Sequence, residues 1–268
     1  MGLTVSGARV VVTGAGSGIG GATALEFARR GARVVTADLD ESTAVATAER
    51  CSAAGPPAVA YGCDMRDAEA VHALAGQVEE QQGPVDVLVS NAGVGLAGSF
   101  LEGSVDDWRW VLGLNLDGVA YGCHAFAPAM VRRGRGHLVN ISSMAGFMPH
   151  GSMAAYCSSK AAVIMFSQCL RAELSPSGVG VSAVCPGVID TPIATNTRLV
   201  GELSDERGAL ERGFSHGHSP DVVARAVLGA VEHDREVVPV GLEASVAYRV
   251  LRFAPSPVRQ LLARLRPR

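Results

Sequence analysis

The sequence predicts one α/β domain built on a doubly wound parallel sheet of about seven strands, with helices on both faces. Short valine-rich runs recur along the chain and are apolar on both faces rather than alternating, which is typical of strands covered on both sides. Amphipathic stretches of helical length separate these runs. A glycine-rich loop follows the first run. Because parallel strands need crossover connections, this alternation favours a parallel sheet.

The predicted elements alternate from the N-terminus onward. The apolar runs that predict strands are Ala8–Thr13, Ala32–Ala37, Ala58–Cys63, Val85–Ser90, His137–Ser142, Val179–Cys185 and Glu236–Val240. The stretches that predict helices are Gly20–Arg30, Glu41–Ala54, Ala68–Gln82, Val105–Arg132, Met153–Ser175 and Asp221–Glu232. Gly31, Gly55 and Gly83 follow three of these stretches, where a left-handed helix cap is expected.

Length, charge and cysteine usage favour a small-molecule partner in a reducing compartment. The 268 residues suit one large domain, and the net charge of −3 would not attract nucleic acid. The apolar runs are far shorter than the roughly 20 residues that cross a bilayer. The six cysteines show neither a CxxC pair nor metal-like spacing, and the N-terminus lacks a secretory pattern. We therefore expect a cytoplasmic protein with no metal site and no integral membrane segment.

Two segments depart from the alternating pattern. Residues 192–219 are polar and weakly patterned, which predicts a substrate lid within a catalytic domain at residues 1–245. Residues 246–268 form an arginine-rich C-terminal extension. After Glu243 the chain has six arginines and no acidic residue, interleaved with apolar residues. This composition fits either a membrane-surface helix or an arm packed on a sister subunit.

The loop after the first strand has the composition of a phosphate-binding turn. Gly14, Gly18 and Gly20 follow a G-x-x-x-G-x-G spacing between a strand and a helix. Glycines let the backbone approach a pyrophosphate, whose charge the helix N-terminus favours. Asp38 ends the second strand 18 residues after Gly20, where a carboxylate can bind ribose hydroxyls and repel a 2′-phosphate. With no basic residue at 15–17 or at Leu39, the sequence favours NAD over NADP.

The chain has a single lysine, Lys160, among 23 basic residues. Tyr156 precedes it by four residues, so a helix would place both side chains on one face. A tyrosine with a pKa near 10 exchanges protons poorly at neutral pH, and a nearby ammonium is expected to lower that pKa. A slim ammonium also fits a narrow site that a planar guanidinium would fill differently.

The glycine spacing and the Tyr156-x-x-x-Lys160 motif resemble those of the classical short-chain dehydrogenase/reductase (SDR) family, and the resemblance extends from about Gly7 to Val240. It implies a Rossmann-type fold and an NAD-linked interconversion of a secondary alcohol and a ketone. Ser143, 13 residues before Tyr156, would position the substrate oxygen. Asn115 would hold a water that links Lys160 to solvent, and Tyr156 would exchange the hydroxyl proton.

The resemblance also implies a cofactor site. Asp64 would contact the adenine amino group, the Met65 backbone would support the ring, and the Pro186–Thr191 segment would bind the carboxamide. Ser90 stands where the family usually has asparagine. The implied cofactor-binding residues are Gly14, Ser17, Gly18, Ile19, Gly20, Asp38, Leu39, Asp64, Met65, Asn91, Ala92, Gly93, Tyr156, Lys160, Pro186, Gly187, Val188, Ile189 and Thr191.

The residues expected near the substrate are mainly apolar, which favours a bulky apolar alcohol or ketone. They are Val94, Leu96, Met144, Phe147, Met148 and His150, together with the implied catalytic residues Ser143 and Tyr156. An NADPH-dependent ketone reductase of a biosynthetic pathway and a non-catalytic cofactor-binding regulator are the alternatives. The resemblance further suggests a homotetramer or dimer that pairs through the helices Val105–Arg132 and Met153–Ser175.

Overall fold

A seven-stranded parallel sheet forms the centre of the protein in the computed structural model, which describes residues 2–251, 253–255 and 258. Its strands run in the order β3-β2-β1-β4-β6-β7-β9, and every neighbouring pair is parallel. The strands are β1 Arg9–Thr13, β2 Arg33–Asp38, β3 Val59–Gly62, β4 Val87–Ser90, β6 Gly136–Ile141, β7 Val179–Pro186 and β9 Val237–Val240. The predicted fold class is confirmed.

Helices cover both faces of this sheet. They are α1 Gly18–Arg29, α2 Glu41–Ala54, α3 Ala68–Gln82, α4 Val105–Leu112, α5 Gly118–Arg133, α6 Ala154–Leu174, α7 Ile193–Asn196, α8 Arg207–Ser215, α9 Pro220–His233 and α10 Leu242–Leu251. Val10 and Val12 of β1 pack toward α1 and α9, whereas Val11 packs toward α3, α5 and α6. This alternation explains why apolar residues occupy both faces of the strands. In the described part of the chain, no helix combines the length and hydropathy that a bilayer crossing requires.

The predicted helix Val105–Arg132 is interrupted. A π-helical turn at Gly113–Asp117 separates α4 from α5. The wider turn coincides with Asn115, which is fully buried and bonds to the backbone of Val94 through both ends of its amide. The π-helical turn thus lies at Asn115, which the family resemblance assigns to the site. π-Helical turns are frequent at functional sites.

One of the three predicted glycine caps is wrong. Gly31 and Gly83 have φ values of 81° and 88°, but Gly55 is extended with a φ of −165°. A Cβ at Gly55 would lie 2.1 Å from the backbone oxygen of Ala28. Gly55 therefore allows α2 to end close to α1, and it does not supply a left-handed turn.

The predicted lid is more ordered than a loop. It contains α7, α8 and the two-residue strand β8, Arg198–Leu199, which pairs in parallel with β5, Leu96–Ala97. The backbone N–H of Arg198 donates to Gly95 O at 3.0 Å, and Val200 N donates to Ala97 O at 2.9 Å. The first half of the lid is thus attached to the loop that follows β4.

The C-terminal helix α10 crosses the predicted boundary between residues 245 and 246. Ala244 and Ala247 of this helix are buried, so α10 packs on the domain. Most of the predicted C-terminal extension lies outside the described residues.

Candidate active site

The predicted site residues converge at the carboxyl ends of the central strands. The chain order reverses on the two sides of β1, because β2 lies on one side and β4 on the other. In open α/β sheets such a reversal opens a crevice for ligands. The glycine loop follows β1, Asn91 follows β4, and Ser143 follows β6.

The glycine loop is held by buried backbone contacts. Gly14 has a φ of 61°, and a Cβ there would lie 2.7 Å from the Cα of Ala92. A Cβ at Gly20 would lie 2.1 Å from the backbone oxygen of Gly14. The amide of Asn91 donates to the backbone oxygens of Thr13 and Gly14, each at 3.0 Å. Gly14, Gly20 and Asn91 therefore form a close-packed turn in front of the N-terminus of α1, which begins at Gly18.

Asp38 faces the glycine loop from the end of β2. Its Oδ2 accepts a hydrogen bond from Gly16 N at 2.8 Å, and its Oδ1 accepts one from Asp40 N at 3.2 Å. A Cβ at Gly16 would lie 2.0 Å from Thr43 Oγ1, so only glycine permits this approach. Leu39 follows with 68% of its surface exposed. The carboxylate is thus fixed beside the turn where a dinucleotide ribose is expected.

Asp64 has a partner that sequence reasoning did not predict. Arg66 donates to it from Nε at 2.9 Å and from Nη2 at 2.5 Å. The hydrogen bonds from the Arg66 side chain lower the pKa of the Asp64 carboxyl below its usual range. Met65 is buried, and its backbone oxygen closely approaches Gly118 of α5.

Lys160 is buried at the centre of the site. Only 4% of its surface is exposed, and its Nζ donates to Ile141 O at 3.1 Å. The same Nζ lies 5.8 Å from the centre of the Tyr156 ring. Burial lowers the pKa of Lys160 to about 8. The side chain is therefore still mainly charged at neutral pH.

The pKa of Tyr156 shifts in the direction opposite to the prediction. Burial raises it, because the phenolate loses contact with water, and a hydrogen bond with the Ser143 hydroxyl opposes the rise. The Ser143 hydroxyl therefore acts on the phenol by a hydrogen bond, while the Lys160 Nζ lies 5.8 Å from the ring centre. The spacing of Tyr156 and Lys160 predicts that the two side chains are close, but it does not predict how deeply the phenol is buried, and burial has the larger effect on its pKa.

The two adjacent serines after β6 have different roles. Ser142 is buried, and its hydroxyl donates to Lys160 O at 2.7 Å. Ser143 is half-buried, and its Oγ accepts a hydrogen bond from Ala145 N at 3.2 Å. Of the two hydroxyls, that of Ser143 is the one next to Tyr156. This arrangement agrees with the selection of Ser143 by its spacing.

Asn115 is joined to the Tyr156–Lys160 helix through a serine. Its Oδ1 accepts from Val94 N at 2.8 Å, and its Nδ2 donates to Val94 O at 2.9 Å and to Ser159 Oγ at 3.2 Å. A Cβ at Gly93 would lie 3.1 Å from Asn115 Oδ1 and 3.4 Å from Lys160 Nζ. Gly93 therefore lies between the Asn115 and Lys160 side chains.

The Pro186–Thr191 segment is held by the C-terminal helix. Val188 N donates to Glu243 Oε1 at 3.3 Å, while Val188 O accepts from His218 N at 2.9 Å. Glu243 Oε2 pairs with His218 Nε2 at 3.2 Å. A Cβ at Gly187 would lie 1.9 Å from Glu243 Oε1, so this glycine makes room for the carboxylate. Both backbone polar groups of Val188 are therefore engaged within the protein.

Two further residues of this segment contact the glycine loop or the interior. A Cβ at Gly18 would lie 3.2 Å from the Cβ of Thr191, so Thr191 borders the start of α1. Ile189 is 3% exposed.

Three of the residues expected near the substrate lie on one short turn. Met144, Phe147 and Met148 follow β6 and are half-buried. The ring of Phe147 packs edge-on against Tyr248 of α10, with 5.4 Å between ring centres. The expected substrate side is thus bordered by the C-terminal helix.

Several residues that shape the site were not identified from the sequence. Thr13 Oγ1 accepts from the backbone N–H groups of Asn91 at 3.0 Å and Ala92 at 3.2 Å. Ser159 could have been found from its place between Tyr156 and Lys160. Glu243 could not, because it contacts Val188 across 55 residues of chain.

Ser90 stands where the family resemblance implies an asparagine. Its Oγ is buried and has no hydrogen-bond partner among the described residues.

Comparisons with known proteins agree with this architecture. The family model described as short chain dehydrogenase matches residues 8–200. The chain is 47% identical over 265 residues to "Probable oxidoreductase EphD" of Mycobacterium tuberculosis; the match covers 96% of this chain and 45% of that protein. The chain thus spans about half the length of that curated relative.

Two further relatives match over most of their own length. One is "1-deoxy-11-beta-hydroxypentalenate dehydrogenase" of Streptomyces exfoliatus, which is 39% identical over 84% of this chain and 80% of that protein. The other is a solved short-chain dehydrogenase/reductase from Burkholderia phymatum in complex with NAD. It superposes with a TM-score of 0.86 at 31% identity and covers 99% of both chains.

Proposed function

Because this chain belongs to the short-chain dehydrogenase/reductase family, we propose that it interconverts a secondary alcohol and a ketone with NAD as the hydride carrier. Family membership implies an oxidoreductase that acts on CH–OH groups of small molecules with NAD or NADP. The preference for NAD, the bulky apolar substrate and the roles of single residues are parts of the proposal.

The observation that supports the proposal best is the cluster of Ser143, Tyr156 and Lys160 beyond the end of β6. The Ser143 hydroxyl interacts with the phenol, and the buried Lys160 ammonium lies 5.8 Å from the ring centre. A proton donor and acceptor, a hydrogen-bonding hydroxyl and a cation are thus gathered at one edge of the sheet. This is the set of groups that alcohol oxidation requires.

The residues around β1 suit a dinucleotide. The close contacts at Gly14 and Gly20 leave no room for side chains, and α1 begins directly behind the turn. Backbone N–H groups of such a turn favour a pyrophosphate. The Asp38 carboxylate beside Gly16 is suited to ribose hydroxyls and would repel a 2′-phosphate, which favours NAD. When bound, the nicotinamide would supply the hydride chemistry.

The chain's own residues would manage orientation and protons. In the oxidation direction, Tyr156 as phenolate takes the hydroxyl proton of the substrate while the carbinol hydrogen leaves as hydride. Ser143 donates a hydrogen bond to the substrate oxygen, and Lys160 stabilises the phenolate. The raised pKa of Tyr156 means that the cation and the hydroxyl must offset the cost of burying the phenolate.

Asn115 and Val188 have narrower proposed roles than the sequence suggested. The Asn115 amide bonds to Val94 and Ser159, so we propose that it positions the loop after β4 and leaves a path for water near Lys160. Because both backbone groups of Val188 are engaged, Ile189 and Thr191 are the proposed carboxamide contacts.

The substrate side favours apolar ligands. Met144, Phe147 and Met148 line the turn beyond Ser143, and methionines adapt to irregular shapes. The S. exfoliatus relative acts on a hydroxypentalenate by its name, which is in keeping with a large substrate. The six free cysteines support a location in the reducing cytoplasm. The proposal also includes a homo-oligomer whose subunits pair through α5 and α6.

The first experiment is a titration of the purified chain with NADH and with NADPH, followed by NAD reduction with a panel of apolar secondary alcohols. We expect NADH to bind at least about 10-fold more tightly, because Asp38 repels the extra phosphate. Asp38→Asn should narrow this preference, whereas Asp40→Asn, an exposed neighbour, should leave it unchanged. Tighter NADPH binding would replace the proposal with the NADPH-dependent reductase, and NAD binding without turnover of any alcohol would favour the non-catalytic regulator.

A further inference from the structure

Two exposed histidines face each other on the neighbouring helices α3 and α5. His72 of α3 and His124 of α5 are 52 residues apart in the chain, so they form no sequence motif, but His72 Nε2 lies 3.0 Å from His124 Nδ1. Their ring centres are 5.2 Å apart, and the ring planes are inclined by 61°. Because both side chains are exposed, a solvated ion can reach the two nitrogens.

The backbone of α3 fixes the orientation of the His72 ring. Its Nδ1 lies 2.7 Å from Ala68 O, and because a carbonyl oxygen only accepts hydrogen bonds, Nδ1 carries the proton. The Nε2 lone pair of a neutral His72 therefore faces His124. A backbone carbonyl bonded to the other ring nitrogen is a common support of metal-binding histidines, because it fixes the tautomer and the orientation of the ring.

The two helices hold both rings on a rigid base. Val71 precedes His72 and is fully buried, and Cys123 precedes His124 and is 2% exposed. Both belong to one hydrophobic cluster that also contains Val11 and Leu88 of the central sheet. The two histidines are thus carried by helices that cannot separate without opening the core. Ligands that are held close together in advance lose little conformational freedom when an ion binds.

The separation of the two nitrogens indicates which ions fit. An ion at about 2.0–2.1 Å from each nitrogen, the metal–imidazole distance of zinc sites, would bind nitrogens 3.0 Å apart at an angle of roughly 95°. Neighbouring ligands subtend about 90° in octahedral and square-planar sites and about 109° in tetrahedral sites. Exposed rings rotate readily, so both lone pairs can turn toward this point. The geometry therefore favours Ni²⁺ or Cu²⁺ over Zn²⁺.

We propose that His72 and His124 form a two-histidine site for a divalent transition-metal ion, Ni²⁺ or Cu²⁺, that bridges α3 and α5. Imidazole nitrogens suit these ions, whereas Mg²⁺ and Ca²⁺ prefer oxygen ligands. The described part of the chain holds no group of three or more histidine, cysteine or carboxylate side chains suited to a metal, so water completes the coordination.

Binding of the ion requires a change of tautomer in one ring. Because His72 Nε2 carries a lone pair, the proton between the two neutral rings is on His124 Nδ1. When the ion binds, the His124 ring carries its proton on Nε2, which frees Nδ1 as the second ligand. Both rings stay neutral, so the site gains the charge of the ion alone. None of these steps depends on the proposed function.

The test is isothermal titration of the untagged full chain with Ni²⁺ alone. We expect one ion per chain, and we expect His72→Gln and His124→Gln each to weaken binding at least about 10-fold, because each removes one of two protein ligands. Zn²⁺ should bind less tightly than Ni²⁺, and Mg²⁺ in roughly 100-fold excess should not compete.

His233→Gln is the matched control. His233 is also exposed, and its Nδ1 donates to Gly229 O, four residues earlier, at 3.0 Å. It therefore shares the backbone support of His72, but no other imidazole of the described residues is hydrogen-bonded to it. This variant should bind Ni²⁺ like the parent chain.

Two further readouts do not rely on calorimetry. Ni²⁺ at roughly ten times its Kd should raise the Tm of the parent chain by about 3 °C, and it should not raise the Tm of His72→Gln or His124→Gln. Ni²⁺ should also protect His72 and His124, but not His233, from diethyl pyrocarbonate, as read by mass spectrometry. The protection experiment uses the parent chain, so it decides the question even where a variant fails to fold.

Three kinds of result would overturn the inference. The first is no saturable binding of Ni²⁺, or binding that both His72→Gln and His124→Gln leave unchanged, which would mean an adventitious ion only. The second is protection of His233 equal to that of His72, or tighter binding of Zn²⁺ than of Ni²⁺. The third is one ion per two chains with Ni²⁺-dependent dimerisation in sedimentation velocity, because a second copy would then supply ligands.

Discussion

The two sides of the site are stabilised in different ways. On the catalytic side, Lys160 and Ser142 are buried and bond to backbone oxygens of β6 and α6. On the substrate side, the lid and α10 are attached by side-chain pairs that water reaches, such as Arg198 with Asp107 and His218 with Glu243. Breaking a buried polar contact costs much more than breaking an exposed one. The comparison indicates a rigid reaction centre beside an adjustable entrance.

On the catalytic side, removal of a single atom, the Tyr156 hydroxyl oxygen, should have the largest effect on kcat. Tyr156→Phe removes the phenolic oxygen that we propose exchanges the proton, and we expect kcat to fall on the order of 10²–10⁴-fold. NAD affinity should change by no more than a few-fold. Tyr61→Phe is the matched control, because its hydroxyl bonds to Gln81 at the edge strand β3. Steady-state kinetics and an NADH titration check both values, and near-normal turnover would refute the assignment.

Lys160→Arg tests whether the solitary lysine is replaceable. The charge is retained, but the larger planar group must fit a position that is 4% exposed and within 3.1 Å of Ile141 O. We expect a loss of activity of about 10²-fold or more because the guanidinium displaces neighbouring groups. Full activity in a folded variant would show that any cation suffices there.

Acid should destabilise the rigid side through His137 of β6. Burial lowers its pKa to about 4 in the folded protein, against about 6.5 when it is exposed on unfolding. The unfolded state therefore binds a proton first, and stability present above pH 6.5 is lost as pH falls toward 4. The full effect is about 3 kcal/mol. Urea unfolding at several pH values measures it, and His137→Gln should flatten the profile in that window.

On the adjustable side, two variants of Glu243 should separate its hydrogen bond with Val188 N from its contact with His218. Glu243→Gln keeps an acceptor for Val188 N but replaces the carboxylate that contacts His218. We expect a change of KM within about twofold, because exposed polar contacts of charged side chains contribute little. Glu243→Ala also leaves Val188 N unpaired and should raise KM for NAD roughly 10-fold with little change in kcat. Equal effects of both variants would assign the role to the charge.

Arg198 should show the smallest effect. Its guanidinium stacks 3.7 Å from the Trp110 ring centre and pairs with Asp107 at 3.2 Å, but about half of the side chain is exposed. Arg198→Gln should cost about 1 kcal/mol or less in unfolding free energy. Cleavage of the lid by a protease should accelerate a few-fold, whereas Arg109→Gln on the same helix as Trp110 should leave it unchanged. A large loss of global stability would mean that the lid is part of the rigid side.

The sequence predicts the secondary-structure elements more accurately than it predicts the contacts around the site. The strands and most helices agree with the predictions within a few residues, and the ranges Glu41–Ala54 and Ala68–Gln82 agree at both ends. Hydrophobic periodicity is a local property, so it can be read without the fold. The π-helical turn at Asn115 accompanies a hydrogen bond with Val94, and the extended conformation of Gly55 accompanies its close approach to Ala28. Neither contact is identified by a local sequence pattern.

The sequence by itself determined the parallel α/β architecture, the glycine-rich turn after β1 and the spacing of Ser143, Tyr156 and Lys160, because each of these depends on residues close together along the chain. Only the tertiary structure decided which groups are desolvated and which distant side chains meet them. It raised the pKa of Tyr156 by burial, and it brought Glu243 to Val188 across 55 residues of chain. Electrostatics depends on distance and water exposure in the folded chain, and neither is a property of a motif.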